Sequence, residues 1–141
     1  ASHFRFKPGN ETQSVLLLGD GSRLSLAEMT GYDFGAVDLV TLSACETAVG
    51  GGREADGREV EGLATKVQRQ GANAVLATLW PVADASTAWF MREMYRGRVE
   101  QGRDKAQAVR AAQLAMLAGE AGERYTHPYY WAPFILMGNY R

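Results

Sequence analysis

The chain has 141 residues, with 15 Lys and Arg against 16 Asp and Glu, and its net charge is −1. Its hydrophobic content of 46% can fill a core, so the composition predicts one folded domain over residues 1–141 and excludes a disordered chain. Because the charges are balanced and scattered, we expect neither a nucleic-acid nor a membrane partner, and no apolar run approaches the roughly 20 residues of a membrane span. The opening segment does not resemble a signal peptide, so we expect a cytoplasmic protein.

Cysteine and histidine are scarce in this chain, which holds one Cys and two His. A single Cys45 excludes an internal disulfide and leaves too few thiolates for a Cys-rich zinc site, so we expect no metal and no other cofactor. Free cysteines are more often packing residues than nucleophiles. The residue type alone therefore leaves both roles open for Cys45.

The first predicted elements are a hairpin and a short helical turn. Residues 15–18 and 24–26 are apolar runs that flank a Gly/Asp turn at residues 19–22, which predicts a β-hairpin. Ser25 and Glu28 have the spacing of a capping box, so a helical turn is expected to follow.

A strand, a loop, a helix and a second strand follow over residues 38–80. Residues 38–45 and 74–80 are nearly continuous apolar runs, which is typical of strands buried on both faces, and Pro81 ends the second. Between them lies a Gly-rich polar loop at residues 50–57 and then a helical pattern that stops at Gly71. This order predicts a βαβ unit with parallel strands and a right-handed crossover.

Two helices and a last strand complete the chain. Asp84 or Ser86 is predicted to cap the first helix, and Asp104 the second. The predicted inward residues are Phe90, Met91, Met94 and Tyr95 on the first helix and Val109, Ala112 and Met116 on the second. Residues 131–137 predict a strand, with Pro133 at its start or at a sheet edge.

The fold class predicted from these elements is α/β with a mostly parallel sheet. Only two or three core strands are visible, and the chain begins at Ala1 without an initiator Met. We therefore expect the carboxyl-terminal portion of a single domain whose N-terminal strands are lacking.

The position of Cys45 favours a functional role. In open α/β sheets, sites form outside the carboxyl ends of parallel strands, where Cys45 and Trp80 are both expected. A nucleophilic thiol needs a base and oxyanion donors. The candidate bases are His3 and His127, and His127 precedes Pro128 in a loop typical of surface histidines. The residues alone leave both open.

Several sequence blocks resemble the CHAT domain, a bacterial caspase-like and separase-like cysteine peptidase domain that is usually joined to tetratricopeptide repeats. The blocks are Ser43-Ala44-Cys45-Glu46-Thr47, Leu79-Trp80-Pro81-Val82 and His127-Pro128-Tyr129-Tyr130-Trp131-Ala132-Pro133-Phe134. The resemblance implies a caspase-like three-layer α-β-α sandwich. It also implies an endopeptidase that cleaves protein substrates through a thioester, and a repeat or sensor region as a partner in the parent protein.

Site residues follow from the same resemblance. His3 would be the catalytic base and Cys45 the nucleophile, with the Cys45 N–H as one oxyanion donor. Thr78 and Trp80 would contact the substrate. Many relatives have Gly after the catalytic His, whereas this chain has Phe4, so the resemblance does not carry over the second oxyanion donor.

Two alternatives stay open. The chain could be a catalytically inactive fragment that serves as an interaction module of a larger regulatory protein. A small thiol hydrolase or glutaminase would place the Cys on a tight strand-to-helix turn, and the long loop at residues 50–57 argues against it. Substrate specificity is also open, since Asp38 and Asp84 could each form a pocket that prefers Arg.

Overall fold

The computed structural model describes residues 4–5, 7, 10–42 and 58–141. These residues form two three-stranded sheets and four α-helices, which confirms the predicted α/β class. In chain order the elements are β1 (Phe4–Arg5), β2 (Val15–Leu17), β3 (Arg23–Ser25), α1 (Leu26–Met29), β4 (Val40–Leu42), α2 (Arg58–Arg69), β5 (Ala74–Thr78), α3 (Asp84–Val99), α4 (Lys105–Leu117) and β6 (Phe134–Gly138). The predicted strand at residues 38–45 is described only as far as Leu42, and the loop at residues 50–57 lies outside the described residues.

The small sheet is antiparallel in the order β1-β2-β3 and contains the predicted hairpin. Leu16 lies opposite Phe4 on one side and Leu24 on the other. The predicted capping box is also confirmed. The Glu28 backbone N–H donates to Ser25 Oγ at 3.1 Å, and the Ser25 backbone N–H donates to Glu28 Oε2 at 2.8 Å.

The larger sheet has the strand order β4-β5-β6. β4 and β5 are parallel, as predicted, with Val40 opposite Val75. α2 connects them and ends before Gly71. Glycine is required there because φ is +103° and because a Cβ at this position would lie only 2.9 Å from the Gly35 backbone. β6 runs antiparallel to β5 from just after Pro133, so the described part of this sheet has one parallel and one antiparallel pairing rather than a mostly parallel order.

Helices cover both faces of this sheet. Because side chains alternate along a strand, Val75 and Ala77 of β5 face one way and Leu76 faces the other. Val75 and Ala77 belong to a cluster, hereafter the α2-side cluster, with the buried residues of β1, α1 and α2, which are Phe4, Leu26, Met29, Leu63, Ala64 and Val67. Leu76 belongs to a second cluster with those of α3, α4 and β6, which are Phe90, Met94, Ala108, Val109, Ala112, Met116 and Phe134.

The two long helices begin differently. α4 has the predicted Asp104 cap, with the Gln107 backbone N–H donating to Asp104 Oδ1 at 2.7 Å. Neither predicted cap of α3 is correct. Its N-cap is Ala83, and Ser86 instead donates its hydroxyl to the Ala83 carbonyl at 2.8 Å.

The predicted inner face of α3 is correct for Phe90 and Met94, which are fully buried. The inward orientation predicted for Tyr95 is wrong, since this residue is 42% exposed. Its hydroxyl lies 2.9 Å from Thr41 Oγ1, so this exposed side chain makes a polar contact with β4 instead of entering the core.

Phe90 and Phe134 hold α3 to β6. Their rings stack with centroids 3.7 Å apart, and both side chains are buried. Replacing Phe90 with Ala removes this contact and leaves a cavity, so we expect the free energy of unfolding to fall by about 3–5 kcal/mol. Chemical denaturation measures this loss. Leu114→Ala on the exposed side of α4 is the control and should cost less than about 1 kcal/mol. Equal losses in the two variants would contradict the assigned core.

Candidate functional site

The carboxyl ends of β4 and β5 meet at one edge of the larger sheet, hereafter the carboxyl edge. β4 is described to Leu42 and β5 to Thr78, and the parallel register sets Leu42 opposite Ala77. His3 and Cys45 lie outside the described residues. Their nearest described neighbours in the chain are Phe4 and Leu42. Phe4 is buried in the α2-side cluster, and Leu42 packs against that same cluster.

Phe4 directly follows His3 in the chain, and Phe4 is 4% exposed. It shares the cluster with Leu26, Met29 and Leu63, so a large side chain at this position is accommodated in the hydrophobic core. Phe4 also pairs with Leu16 in the small sheet. The segment that directly follows His3 is therefore anchored by both packing and strand pairing.

The two predicted substrate contacts lie at the end of β5 but differ in exposure. Thr78 is the last residue of β5 and is buried, at 2% exposed. Trp80 is half-buried in the loop of residues 79–82, hereafter the Trp80 loop. Its indole Nε1–H donates to the Tyr129 carbonyl at 2.9 Å.

Residues 127–133, hereafter the Tyr129 loop, lie against the Trp80 loop. The Tyr129 hydroxyl donates to the Pro81 carbonyl at 2.8 Å, and the rings of Tyr129 and Trp80 stack with centroids 6.4 Å apart. The sequence reasoning did not assign a role to Tyr129. The signal that could have found it is the aromatic run Tyr129-Tyr130-Trp131 between two prolines, which favours an ordered loop over a solvated one.

His127, the alternative base, is exposed and lies at the start of a 3₁₀ turn. Its Nδ1 accepts a hydrogen bond from the Tyr129 backbone N–H at 3.2 Å. This contact makes His127 a local cap, in line with the surface role that its position before Pro128 predicted.

The two candidate acids for an Arg-preferring pocket lie at different places. Asp38 precedes β4, at the opposite edge of the sheet from the carboxyl edge, and its carboxylate is 2.7 Å from Lys105 Nζ and 2.8 Å from Arg98 Nη2. A hydrogen bond from Lys105 and a smaller contribution from Arg98 hold the pKa of Asp38 below its usual value. Asp84 is exposed at the start of α3, after the Trp80 loop, and makes no ion pair with another described residue.

Other kinds of site are not found in the described part of the chain. In residues 4–5, 7, 10–42 and 58–141, no three His, Cys, Asp or Glu side chains come together as metal ligands would. Across the same ranges, no helix has the length and apolar character needed to cross a bilayer.

A family model, the CHAT domain, matches residues 1–139. The chain belongs to the CHAT domain family. This confirms the resemblance drawn from the sequence blocks, and CHAT domains are associated with cysteine peptidase-like proteins. A comparison with curated proteins found no match. In this CHAT domain the described elements place Thr78, Trp80 and Asp84 along one stretch of chain at the carboxyl edge and Asp38 at the other edge.

The Asp38 ion pairs make stability depend on pH. A carboxyl whose folded pKa lies below the unfolded value of about 3.9 stabilises the fold above that pH, and the contribution is lost as the pH falls through the folded pKa. Asp38→Asn should therefore lower the free energy of unfolding at pH 7 by about 1 kcal/mol, the upper end for an exposed pair because Lys105 is buried. Urea unfolding at pH 7 and pH 3 measures this difference, which should shrink at the lower pH.

The exposed Glu120→Gln is the matched control for that experiment and should match the parent at both pH values. A loss in Asp38→Asn that is equal at pH 7 and pH 3 would mean that the carboxylate charge is not what stabilises this edge.

Proposed function

We propose that this CHAT domain is a cysteine endopeptidase module with His3 as general base and Cys45 as nucleophile. The observation that supports it most is the α2-side cluster, in which Phe4 and Leu42 are gathered into one core. Phe4 directly follows His3, and Leu42 precedes Cys45 by three residues. The two proposed catalytic residues are thus attached to segments that one hydrophobic core holds together. The family match over residues 1–139 supports the same assignment.

The proposed reaction has two steps. His3 accepts the thiol proton of Cys45, and the thiolate attacks the carbonyl carbon of the scissile peptide bond while backbone N–H donors, including that of Cys45, stabilise the oxyanion. The C–N bond breaks, and His3 transfers its proton to the leaving amine. A water molecule then gives a proton to His3 and attacks the thioester carbonyl carbon. The C–S bond breaks to release the carboxylic acid, and His3 returns its proton to the Cys45 sulfur.

The substrate would bind beside the Trp80 loop. Trp80 offers a half-exposed aromatic surface, and Thr78 would form the buried base of the same wall. Of the two candidate acids, Asp84 is the better partner for a basic substrate residue, because the charge of Asp38 is already balanced by its ion pairs with Lys105 and Arg98. We therefore propose a preference for Arg or Lys at the cleavage site.

The helices on both faces of the larger sheet support a caspase-like three-layer architecture. The further proposals are that an N-terminal repeat or sensor region of a bacterial parent protein controls the peptidase and that the parent is cytoplasmic. Both follow from the family resemblance.

The catalytic assignment is tested by Cys45→Ala and His3→Ala in the parent protein. We expect no cleavage of a protein substrate above background in Cys45→Ala, and a fall in kcat of about 100- to 10,000-fold in His3→Ala. Electrophoresis and single-turnover kinetics measure both. His127→Ala is the matched control for the base and should retain more than half of kcat. Cleavage that survives Cys45→Ala would rule out the proposed function.

Alkylation with iodoacetamide gives a second test of the His/Cys pair. A thiol beside a base or cation ionises below its usual pKa of about 8.5, so the labelling rate of Cys45 should rise at lower pH than that of a free thiol. His3→Ala should move this rise back toward about 8.5. The same pH profile with and without His3 would contradict the pair.

The specificity proposal is tested by Asp84→Asn. This substitution keeps the shape of the side chain but removes its charge, so we expect kcat/KM for an Arg substrate to fall about tenfold while that for an uncharged analogue stays within twofold. Asp38→Asn is the matched control and should not change the ratio. If only Asp38→Asn lowered kcat/KM for the Arg substrate, the acidic pocket would lie at the Asp38 edge of the sheet, and this would contradict the assignment of Asp84.

A further inference from the structure

The Trp80 loop and the Tyr129 loop are joined by a reciprocal pair of hydrogen bonds. The Trp80 indole donates to the backbone carbonyl of Tyr129 at 2.9 Å, and the Tyr129 hydroxyl donates to the backbone carbonyl of Pro81 at 2.8 Å. Each aromatic side chain is therefore bonded to the backbone of the other loop, although the bonded residues are 48 and 49 positions apart in sequence. Stacking of the two rings adds a third contact.

The Tyr129 loop is itself held on its other side. Gln113 of α4 donates from Nε2 to the carbonyls of Trp131 at 3.3 Å and Phe134 at 3.2 Å. The Trp131 indole donates to the Thr126 carbonyl at 2.9 Å, and the Tyr130 ring meets the Tyr129 ring edge-on with centroids 5.3 Å apart. Tyr129 consequently extends toward the Trp80 loop from a well-supported base.

We propose that Tyr129 is a positioning residue that fixes the Trp80 indole and so shapes the substrate-binding wall. This rests on the proposed peptidase function. A half-exposed indole that was free to change rotamer would have to be ordered when substrate binds, and that ordering costs affinity. Because its contacts with Tyr129 already order the indole in the free protein, substrate binding does not have to order it. It acts through Trp80 and the Pro81 backbone, so it affects binding more than the chemical step.

Tyr129→Phe tests this role because it removes the hydroxyl but keeps the ring and the backbone carbonyl. In the parent protein we expect KM for a peptide substrate to rise about fivefold, the effect of one hydrogen bond, while kcat stays within twofold. Tyr32→Phe is the matched control, since Tyr32 is 52% exposed and lies on the loop after α1. It should leave both constants unchanged.

Hydrogen exchange of the indole N–H groups tests the same contact without any activity. The chain has three tryptophans, so ¹⁵N-tryptophan labelling gives three side-chain signals, and Trp80→Phe identifies the one that belongs to Trp80. We expect Tyr129→Phe to speed exchange at Trp80 Nε1–H about threefold or more and to leave the Trp89 signal unchanged. Tyr32→Phe should change none of the three.

The outcomes separate this proposal from the proposed function. Unchanged exchange at Trp80 in Tyr129→Phe would overturn the positioning role, and so would a fall in kcat at constant KM. Faster exchange with an unchanged KM would show that the contact exists but does not shape the substrate wall, which also overturns it. A parent protein that cleaves nothing, with Cys45 intact, would instead reject the peptidase function, and the exchange data would still decide whether Tyr129 holds Trp80.

Discussion

The structure depends on β5, a strand that is bonded along both edges and buried on both faces. All five residues from Ala74 to Thr78 are buried, and alternate side chains enter opposite clusters. A shift of one residue along β4 or β6 would exchange the two sets of side chains, so the register of β5 is strongly specified. The carboxyl end of β5 is thereby fixed, and the Trp80 loop leaves the sheet from a defined point. The position of the proposed substrate wall is thus a consequence of core packing.

Most elements governed by neighbours in sequence could be predicted, although the cap of α3 could not. Of the features governed by distant partners, the parallel pairing of β4 with β5 could be predicted, because a strand, helix and strand in succession imply it. The hairpin, the Ser25 and Asp104 capping boxes and the end of α2 at Gly71 depend on contacts within a few residues. The exposure of Tyr95 and the antiparallel direction of β6 depend on contacts across more than 50 residues. Of the candidate site, the sequence predicted Trp80 at the end of a buried strand, but its hydrogen bond to Tyr129 joins two loops whose proximity only the fold reveals.

The acidic residues at the two edges of the larger sheet differ in their partners, since Asp38 is ion-paired and Asp84 forms no ion pair with another described residue. Lys105 is 1% exposed, and a buried ammonium needs compensation, which Asp38 and the Arg141 carbonyl provide. Arg98 binds the second oxygen of Asp38, so this carboxylate is occupied in holding the start of β4 to the two long helices. Asp84 does not join elements in this way, because it forms no such contact with another described residue. A sequence contains no direct sign of this difference, because both acids stand next to predicted elements and their partners are far away in the chain.

The two hydrophobic clusters support different parts of the proposed site. The α2-side cluster includes Phe4 and Leu42, the flanks of the proposed base and nucleophile. The other cluster includes Tyr130 and Trp131 of the Tyr129 loop, together with Val82 of the Trp80 loop. The sheet separates the two cores, and both β5 and β6 contribute side chains to each of them. In the proposed peptidase, packing changes in the α2-side cluster should act on the chemical step, and those in the cluster of α3 and α4 should act on substrate binding. The fold would then allow the two properties to vary separately.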